Sequence, residues 1–334
     1  MTRYIITGAA GHLGSTIIRL LLADGQKVRG LILPIELPPL EGAEYVQGNI
    51  LNPESLAQLF LREEGERLVV IHTAGIVDIT GQISENLRRV NVTGTKNILA
   101  LCIKHHVDKL VYVSSVHAIP ESGTSVPQTE IAGFDPALVT GGYAKTKAEA
   151  TALVLEAVTH GLPAVVVHPS GIIGPYDDGR NHLVQMVRDF TEGKLPFCIK
   201  GGYDLVDVRD AARGCILAAE RGHPGECYIL SGTYQSIEDV LKMTGQLCGK
   251  KGPVMLPMAL VRAVEPVLGL VSRLFGLRPL YTKYSLDTVC TKTRFSVRKA
   301  REELGYAIRP IRETVEDTVR WLSTNKDFSQ NNGF

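Results

Sequence analysis

Apolar runs alternate with segments of helical periodicity throughout the first half of the chain. The runs have the length of buried strands and lie at 3–8, 28–33, 68–74, 109–115 and 163–171. The segments between them have helix character and lie at 13–24, 53–64, 86–106 and 143–160. Strands that alternate with helices in this way pair in parallel, so the pattern predicts a parallel sheet covered by helices on both faces.

The pattern changes after residue 175, where short strands such as 226–231 become the exception. Helices separated by Gly- and Pro-rich turns are predicted at 180–192, 207–221, 236–248, 257–275, 296–304 and 311–324. We therefore predict an α/β fold in which a doubly wound parallel sheet carries a smaller, mostly helical C-terminal domain. The predicted divisions are a first domain at 1–175 with a contribution from 201–232, a second at 176–326, and a flexible tail at 327–334.

Composition and charge restrict the partners that the protein can have. The 334 residues are 44% hydrophobic, which suffices for a large domain with a smaller companion. Because 36 basic residues balance 35 acidic ones, no nucleic-acid or anionic-membrane surface is indicated, and a small molecule is the expected partner. The six cysteines form no C-x-x-C pair, and no cluster has metal-ligand spacing, so we expect reduced thiols and no metal site.

Neither a signal peptide nor an integral membrane segment is predicted. The chain enters an apolar strand by Tyr4 without a charged leader, and we expect a cytoplasmic protein. The most hydrophobic stretch, 254–281, is interrupted by Arg262, Pro266 and Arg273 and does not reach membrane-spanning length. Its helically spaced apolar residues could cover an apolar ligand, contact a membrane surface or close the core of the second domain.

Three glycines follow the first strand at three-residue spacing and precede a helix. Glycines in this arrangement permit a tight turn and a close backbone approach to a pyrophosphate, which the helix N-terminus attracts through its amide donors. The loop therefore predicts dinucleotide binding in a Rossmann fold, with contacts from Gly8, Ala10, Gly11, His12, Leu13 and Gly14. The side chain of His12 either covers the pyrophosphate or takes no part, the backbone alone making the contact.

The position about 20 residues further on distinguishes NAD, whose ribose an acid binds, from NADP, whose 2′-phosphate an Arg accepts. Ile32 and Leu33 occupy it. Lys27 and Arg29 are expected to face away, whereas Glu36 could reach the ribose if its loop folds back. We expect NADP or NAD, with the balance toward NADP because no acid that repels a 2′-phosphate stands at the position itself.

The stretch GGYAKTKAEA, residues 141–150, contains a tyrosine and two lysines. A helix advances about 100° per residue, so Lys147 shares the face of Tyr143, and Lys145 points to the other side. A phenol with an ordinary pKa of about 10 is a poor base at neutral pH, but a nearby cation stabilises the phenolate. Taken alone, the pair equally suits a solvated helix face.

Other motifs extend the pattern over nearly the whole chain. They are G-x-x-G-x-x-G at 8–14, GNILNPESL at 48–56, HTAG at 72–75, NVTGTKN at 91–97, VYVSS at 111–115, Y-x-x-x-K at 143–147 and HPSGIIGP at 168–175. Together they make the chain resemble the extended short-chain dehydrogenase/reductase family, also called the NAD-dependent epimerase/dehydratase family. Residues 203–232 most resemble its dihydroflavonol reductase and 3β-hydroxysteroid dehydrogenase branch. Asn49, where the family usually has Asp near the adenine, is a departure.

The resemblance implies the roles of individual residues. Tyr143 would be the general acid and base, and Lys147 would stabilise its phenolate and hold the nicotinamide ribose. Ser115, or alternatively Ser114, would polarise the substrate oxygen, and Asn91 would support the lysine or merely pack. Further cofactor contacts would come from Asn49, Ile50, Ala74, Gly75, Pro169 and Ser170. The predicted substrate pocket comprises Val77, Asp78, His117, Gly142, Ile173 and Tyr176. An exposed loop position is the alternative for His117.

The function implied by the resemblance is hydride transfer between NAD(P) and a secondary alcohol or a ketone (or aldehyde) on a mainly apolar molecule. The alternatives are a nucleotide-sugar epimerase or dehydratase with tightly held NAD, and a non-catalytic dinucleotide sensor. Relatives form dimers through the helices that correspond to 86–106 and 143–160. Apolar residues expected on the outside of the second helix permit a homodimer, but they equally suit packing on the sheet. They are Ala150, Leu153, Val154 and Ala157.

Overall fold

A computed structural model describes residues 1–78, 81–123, 126–177, 179–195, 197–257, 289 and 293–325. The predicted helix at 257–275 and the predicted tail at 327–334 lie outside these residues, except for residue 257 itself. Nearly all of the apolar stretch at 254–281 does too, so its three possible roles stay open. Within the described ranges, no helix is both long and apolar enough to cross a bilayer.

Strands and helices alternate along the described chain. The strands are β1 Thr2–Thr7, β2 Lys27–Ile32, β3 Glu44–Gln47, β4 Arg67–His72, β5 Lys109–Val113, β6 Ala164–Pro169, β7 Gly171–Ile173, β8 Phe197–Ile199, β9 Gly202–Asp207, β10 Cys227–Leu230, β11 Thr233–Ser236 and β12 Val254–Leu256. The α-helices are α1 His12–Ala23, α2 Glu85–Arg88, α3 Thr95–Lys104, α4 Gly142–Thr159, α5 His182–Thr191, α6 Val208–Arg221, α7 Ile237–Cys248 and α8 Ile311–Thr324.

The main sheet contains seven strands in the order β10-β6-β5-β4-β1-β2-β3, and every neighbouring pair is parallel. Its central strands are buried on both faces, because α1 and α6 pack together on one side and α3 and α4 on the other. This burial explains the unbroken apolar runs in the sequence. The predicted doubly wound α/β fold is therefore confirmed.

Two predicted helices of the first half have other geometries. Residues Pro53–Phe60 form a 3₁₀-helix instead of an α-helix. The long helix predicted at 86–106 is interrupted between α2 and α3 by a π-helical turn at Arg89–Gly94. A π-turn inserts an extra residue and redirects the side chains beyond it, and such turns are frequent at functional sites.

The second part of the molecule contains two small sheets besides its helices. Their strand orders are β11-β9-β7 and β12-β8. An apolar cluster beneath the first of them joins α5, α7 and α8. The short strands β7, β8, β9, β11 and β12 were not predicted. Four of them have only three or four residues, too few to show a clear alternation.

The segment predicted to return to the first domain, 201–232, is shared between the two parts. Its helix α6 packs against α1, and β10 pairs with β6 at the end of the main sheet, whereas β9 belongs to the small sheet. The outward-facing prediction for α4 is wrong at two positions. Ala150 and Val154 are fully buried within this chain, so the alternative of packing on the sheet holds for them.

Candidate active site

The glycine loop lies where the order of the main sheet reverses. The chain winds from β1 to β2 on one side and continues from β4 on the other, which opens a crevice at the carboxyl ends of β1 and β4. Gly8 has a φ of +68°, and a Cβ on Gly14 would lie 2.1 Å from the Gly8 carbonyl oxygen. The loop therefore leaves no room for side chains at these two positions.

The start of α1 is suited to an anion. Gly11 is the N-cap residue, no side chain caps the helix, and its first turn contains no acidic residue. Helix amides at this end have no intrahelical acceptor, and the helix dipole attracts negative charge there. The loop therefore fits the pyrophosphate of a dinucleotide.

His12 points away from this anion site toward the second part of the molecule. Its Nε2 atom lies 2.8 Å from the Pro175 carbonyl oxygen, and the Asn181 side-chain amide lies 3.1 Å from its Nδ1 atom. Since the carbonyl can only accept and the amide donates, the contacts fit the tautomer that carries its proton on Nε2. Of the two predicted roles, the geometry favours contact through the backbone alone.

The loop after β2 does fold back. The Glu36 amide donates to the Leu33 carbonyl at 2.9 Å, and the Glu36 carboxylate accepts the Leu33 amide at 2.8 Å. Arg180, which no motif suggested, forms an ion pair with Glu36 at 2.7 Å. Lys27 and Arg29 are paired with acidic side chains along the sheet edge, in line with their predicted orientation.

The residues predicted to surround the adenine shape the turn that follows β3. The Asn49 side chain accepts a hydrogen bond from the Leu51 amide at 2.9 Å and is otherwise exposed. Ile50 is buried against the π-turn, and a Cβ on Gly94 would come within 2.4 Å of its Cδ1 atom. Both residues therefore have structural roles, and their contact with the adenine stays a prediction.

A directed chain of hydrogen bonds connects the ends of β1 and β4 with the π-turn. Thr95 donates to the Asn91 carbonyl at 2.7 Å, so it must accept from His72 Nε2 at 3.2 Å. His72 Nδ1 then accepts the hydroxyl proton of Thr7 at 2.6 Å. Complete burial lowers the pKa of His72 to about 3 and keeps it neutral, as this chain requires.

Asn91 lies in the π-turn and holds the segment after β4 against α4. Its side chain accepts from the Ile76 amide at 2.8 Å and donates to the Ile76 carbonyl at 3.0 Å and to the Thr146 hydroxyl at 3.1 Å. A Cβ on Gly75 would lie 3.2 Å from Asn91 Oδ1 and 3.4 Å from Lys147 Nζ. The structure thus brings Gly75, Asn91 and Lys147 together.

Lys147 points into the molecule. Only 6% of the residue is exposed, and its ammonium group donates to the Val113 carbonyl at 2.8 Å and lies 5.2 Å from the centre of the Tyr112 ring. Burial lowers the pKa of Lys147 to about 8. The solvated-face alternative is therefore wrong for Lys147, whereas Lys145 on the other face is half-exposed.

The two serines after β5 differ in their partners. Ser114 is hydrogen-bonded to the Thr151 hydroxyl at 2.7 Å and fastens β5 to α4. Ser115 Oγ accepts only the His117 amide at 3.2 Å, and its own proton has no acceptor among the described residues. The geometry therefore favours Ser115 over Ser114 as the group that donates to a substrate.

Tyr143 is half-buried at the start of α4, with the His117 ring edge-on to its own ring. The two ring centres are 6.1 Å apart, with an interplanar angle of 71°. Burial lowers the pKa of His117, so the ring stays neutral beside the phenol. The alternative of an exposed loop histidine does not hold, and His117 lies beside the predicted reacting centre.

Two predicted pocket residues have packing roles. A Cβ on Gly142 would lie 2.2 Å from the Gln82 carbonyl oxygen, so the chain itself occupies the room that was predicted for substrate. Tyr176, at a φ of +73°, lies between the Arg19 guanidinium, 4.3 Å away, and the Trp321 ring, 5.3 Å away. These contacts place the Tyr176 ring beside α1 and α8.

The remaining predicted pocket and cofactor residues differ in exposure. Ile173 is fully buried in the core of the second part, Val77 is 56% exposed, and Asp78 is half-buried. Pro169 ends β6, and the next residue, Ser170, buries a hydroxyl that has no partner among the described residues. An unpartnered buried hydroxyl at this edge fits the predicted contact with the nicotinamide amide.

Comparison with known proteins identifies the family. The family model described as "NAD dependent epimerase/dehydratase family" matches residues 4–230. The chain belongs to this family. It is 29% identical to "Sterol demethylase protein B" of Methylococcus capsulatus over 95% of this chain and 97% of that protein. It is also 29% identical to the "Putative dihydroflavonol 4-reductase" of a Synechocystis strain, over 96% and 95% of the two chains.

Among solved structures, that of gox2253 superposes with a TM-score of 0.80 at 32% identity, covering 96% of this chain and 98% of that one. The match extends through the second part of the molecule as well as the main sheet. The resemblance inferred from the motifs, including its dihydroflavonol reductase branch, is thereby confirmed, and the chain is an enzyme of an NAD-dependent family.

Proposed function

We propose that this protein is an NAD(P)-dependent oxidoreductase that interconverts a secondary alcohol and a ketone or aldehyde on a mainly apolar small molecule. The observation that carries the proposal is the buried ammonium group of Lys147. It lies at the carboxyl edge of the sheet beside Gly75, one helical turn from Tyr143. A buried cation there has no structural ion-pair partner among the described residues, and an anion that forms beside it, such as a phenolate, is stabilised.

In the reducing direction, Tyr143 donates its phenolic proton to the carbonyl oxygen of the substrate. When bound, NAD(P) would supply hydride-transfer chemistry, giving a hydride to the carbonyl carbon or accepting one from the alcohol. Lys147 stabilises the phenolate that remains on Tyr143, which then recovers a proton from solvent. Ser115 donates its hydroxyl proton to the same oxygen, because the amide of His117 already occupies one of its lone pairs.

Several observations support an apolar substrate. Two relatives that match over nearly the whole chain are named for a sterol and a dihydroflavonol, and both molecules are polycyclic. The His117 ring lies edge-on to the ring of Tyr143. An aromatic surface beside the phenol suits a substrate that carries a carbonyl on an apolar skeleton.

The cofactor proposal includes both NAD and NADP. The family description names NAD, whereas Arg180 brings a cation to the β2 loop that the sequence alone did not place there. Glu36 balances that cation. We further propose that residues 176–326 supply most of the substrate contacts. The homodimer and the cytoplasmic location remain predictions.

The runner-up is a nucleotide-sugar epimerase or dehydratase that retains NAD. The family description supports this alternative, since it names both activities. A non-catalytic dinucleotide sensor is a weaker alternative, because such a protein has no use for a proton donor, a buried cation and a serine hydroxyl at one sheet edge. The three functions differ in whether free cofactor is consumed and in whether a substrate is turned over.

The test is anaerobic incubation with NADH and with NADPH, and with the oxidised cofactors, against sterol, dihydroflavonol, aldehyde and sugar-nucleotide panels. Net change in reduced-nicotinamide absorbance with a ketone or an alcohol supports the proposal. Redox-neutral turnover of a sugar nucleotide would identify the epimerase instead. Tyr143→Phe should bind NADH like the wild type and lose turnover by at least about 100-fold. Full turnover by this variant would reject the mechanism.

A further inference from the structure

His168 lies directly behind Ser115 in the adjacent strand. It is the fifth residue of β6, is completely buried, and stacks on the ring of Phe134 at 5.1 Å with an interplanar angle of 13°. It immediately precedes Pro169, and the motif at 168–175 predicts a role for Pro169 and Ser170 and none for His168. In the sheet it is paired with Ile229 of β10.

The polar contact of His168 is specific. Its Nδ1 atom lies 3.0 Å from the backbone carbonyl oxygen of Ser115. A carbonyl can only accept, so Nδ1 carries the proton, and the ring is the Nδ1–H tautomer. The same carbonyl accepts the Ala118 amide at 3.0 Å, and Ser115 Oγ accepts the His117 amide. The Ser115 carbonyl is therefore bound by His168 of β6 as well as by the turn that follows Ser115.

The other ring nitrogen of His168 lowers the stability of the fold. His168 Nε2 is buried and has no hydrogen-bond partner among the described residues. An unsatisfied buried acceptor destabilises a fold, and a phenyl ring in the same place would stack on Phe134 without that cost. The burial also lowers the pKa of His168 to about 4, so the ring remains neutral at physiological pH. Packing alone therefore does not account for a histidine here.

We propose that His168 is a positioning residue that fixes the Ser115 peptide through its Nδ1–H group, so that the Ser115 hydroxyl meets the substrate oxygen. This inference rests on the proposed function, since it assumes that Ser115 donates to a substrate. His168 does not itself touch the substrate in this scheme. It acts through the carbonyl of Ser115 alone.

The tautomer can be measured without a substrate. Two-dimensional ¹⁵N–¹H spectra of the imidazole nitrogens in the labelled full-length protein should show His168 neutral, with the proton on Nδ1, between pH 6 and pH 8. A proton on Nε2, or a protonated ring at pH 6, would overturn the proposal whether or not the enzyme is active.

Three substitutions then separate positioning from packing. His168→Asn retains an amide donor near the Nδ1 position, His168→Gln moves that donor toward the Nε2 position, and His168→Phe retains only the stacked ring. With a 3β-hydroxysterol and NAD⁺, or with a dihydroflavonol and NADPH, kcat should fall by about 10-fold to 100-fold in the Gln and Phe variants. It should stay within about threefold of wild type in the Asn variant, with the KM for the cofactor unchanged in all three.

A double-mutant cycle with Ser115→Ala supplies the decisive comparison. If His168 acts through Ser115, His168→Phe should change kcat by less than about twofold in the Ser115→Ala background, whereas independent effects would multiply. The proposal would be overturned if His168→Phe lowered kcat by the same factor in the Ser115→Ala background as in the wild type. It would also be overturned if the Asn and Gln variants had equal kcat. If His168→Phe does not fold, the Asn and Gln pair is taken through the same cycle. Absence of turnover by the wild type rejects the proposed function and with it the positioning role. The tautomer of His168 then still tests the hydrogen bond between its Nδ1–H group and the Ser115 carbonyl.

Discussion

Lys147 donates a hydrogen bond from its ammonium group to the backbone carbonyl of Val113, 2.8 Å away. Val113 ends β5, and Ser115 follows two residues later. The contact therefore fixes the helix that carries Tyr143 to the strand that leads to the serine. One buried side chain holds both parts of the proposed proton-transfer site in register.

The two lysines of α4 provide a matched comparison. Lys147→Met should lower turnover by at least about 100-fold, because the phenolate of Tyr143 loses its neighbouring cation. Lys145→Met removes the same group from the half-exposed face and should leave kcat within about twofold of wild type. Steady-state kinetics with the best substrate from the panel measures both. Equal losses in the two variants would contradict the assignment of the pair to Tyr143 and Lys147.

The two serines provide a second matched comparison. Ser115→Ala should reduce kcat on the order of 100-fold with little change in thermal stability, because it removes a donor to the substrate oxygen. Ser114→Ala should retain turnover but lose about 1 kcal/mol of unfolding free energy, because it removes a buried hydrogen bond to Thr151. Urea unfolding and kinetics on both variants make the comparison. The reverse pattern would show that Ser114 is the donor.

The glycine loop can be tested by a single methyl group. Gly14→Ala would place its Cβ 2.1 Å from the Gly8 carbonyl oxygen, so the loop must open to admit it. We expect at least about tenfold weaker NADH binding and a loss of about 1–3 kcal/mol in stability. In Gly133→Ala, where the new Cβ meets no described atom within 4 Å, both quantities should be unchanged. Fluorescence titration with NADH is the measurement, and wild-type affinity in Gly14→Ala would contradict a pyrophosphate site in the loop.

Glu36 is expected to influence the choice between the two cofactors. A carboxylate on the folded-back loop repels a 2′-phosphate, so Glu36→Gln should raise the affinity for NADPH relative to NADH by at least about fivefold. It also removes the ion pair between Glu36 and Arg180, which acts in the same direction. Parallel titrations with NADH and NADPH give the ratio. Glu41→Gln, an exposed site on the same connection, should leave the ratio unchanged. An unchanged ratio in Glu36→Gln would show that the ribose lies elsewhere.

The local parts of the site were predictable from the sequence. The glycine spacing at 8–14 and the four-residue separation of Tyr143 and Lys147 are properties of a turn and a helix, which depend mainly on neighbouring residues. The apolar runs predicted the strands of the main sheet for the same reason, since burial on both faces leaves an uninterrupted signal.

The parts that escaped prediction depend on contacts between distant residues. Glu36 and Arg180 are 144 positions apart, and no local pattern indicates that their loops meet. The bonds of His12 with Pro175 and Asn181 likewise require the second part of the chain to be in place. The edge strand β3 was missed because it is four residues long and is nowhere fully buried, so its side chains show no alternation.

The burial of Lys147 also predicts how stability depends on pH. Its pKa is about 8 in the folded protein and 10.5 in the unfolded chain. Between these values the unfolded state binds more protons than the folded state, so stability should rise with pH across the interval. The cost of burying the charged form is fully present below pH 8 and disappears toward pH 10.5. The shift corresponds to about 3 kcal/mol at most.

The measurement is chemical unfolding of the cofactor-free protein and its Lys147→Met variant between pH 7 and pH 10. The difference in unfolding free energy, wild type minus variant, should increase above pH 8, since methionine has no proton to lose. Lys145→Met serves as the control for the loss of a lysine from the same helix. A difference that stays constant or decreases with pH would contradict a lowered pKa of Lys147 in the cofactor-free protein.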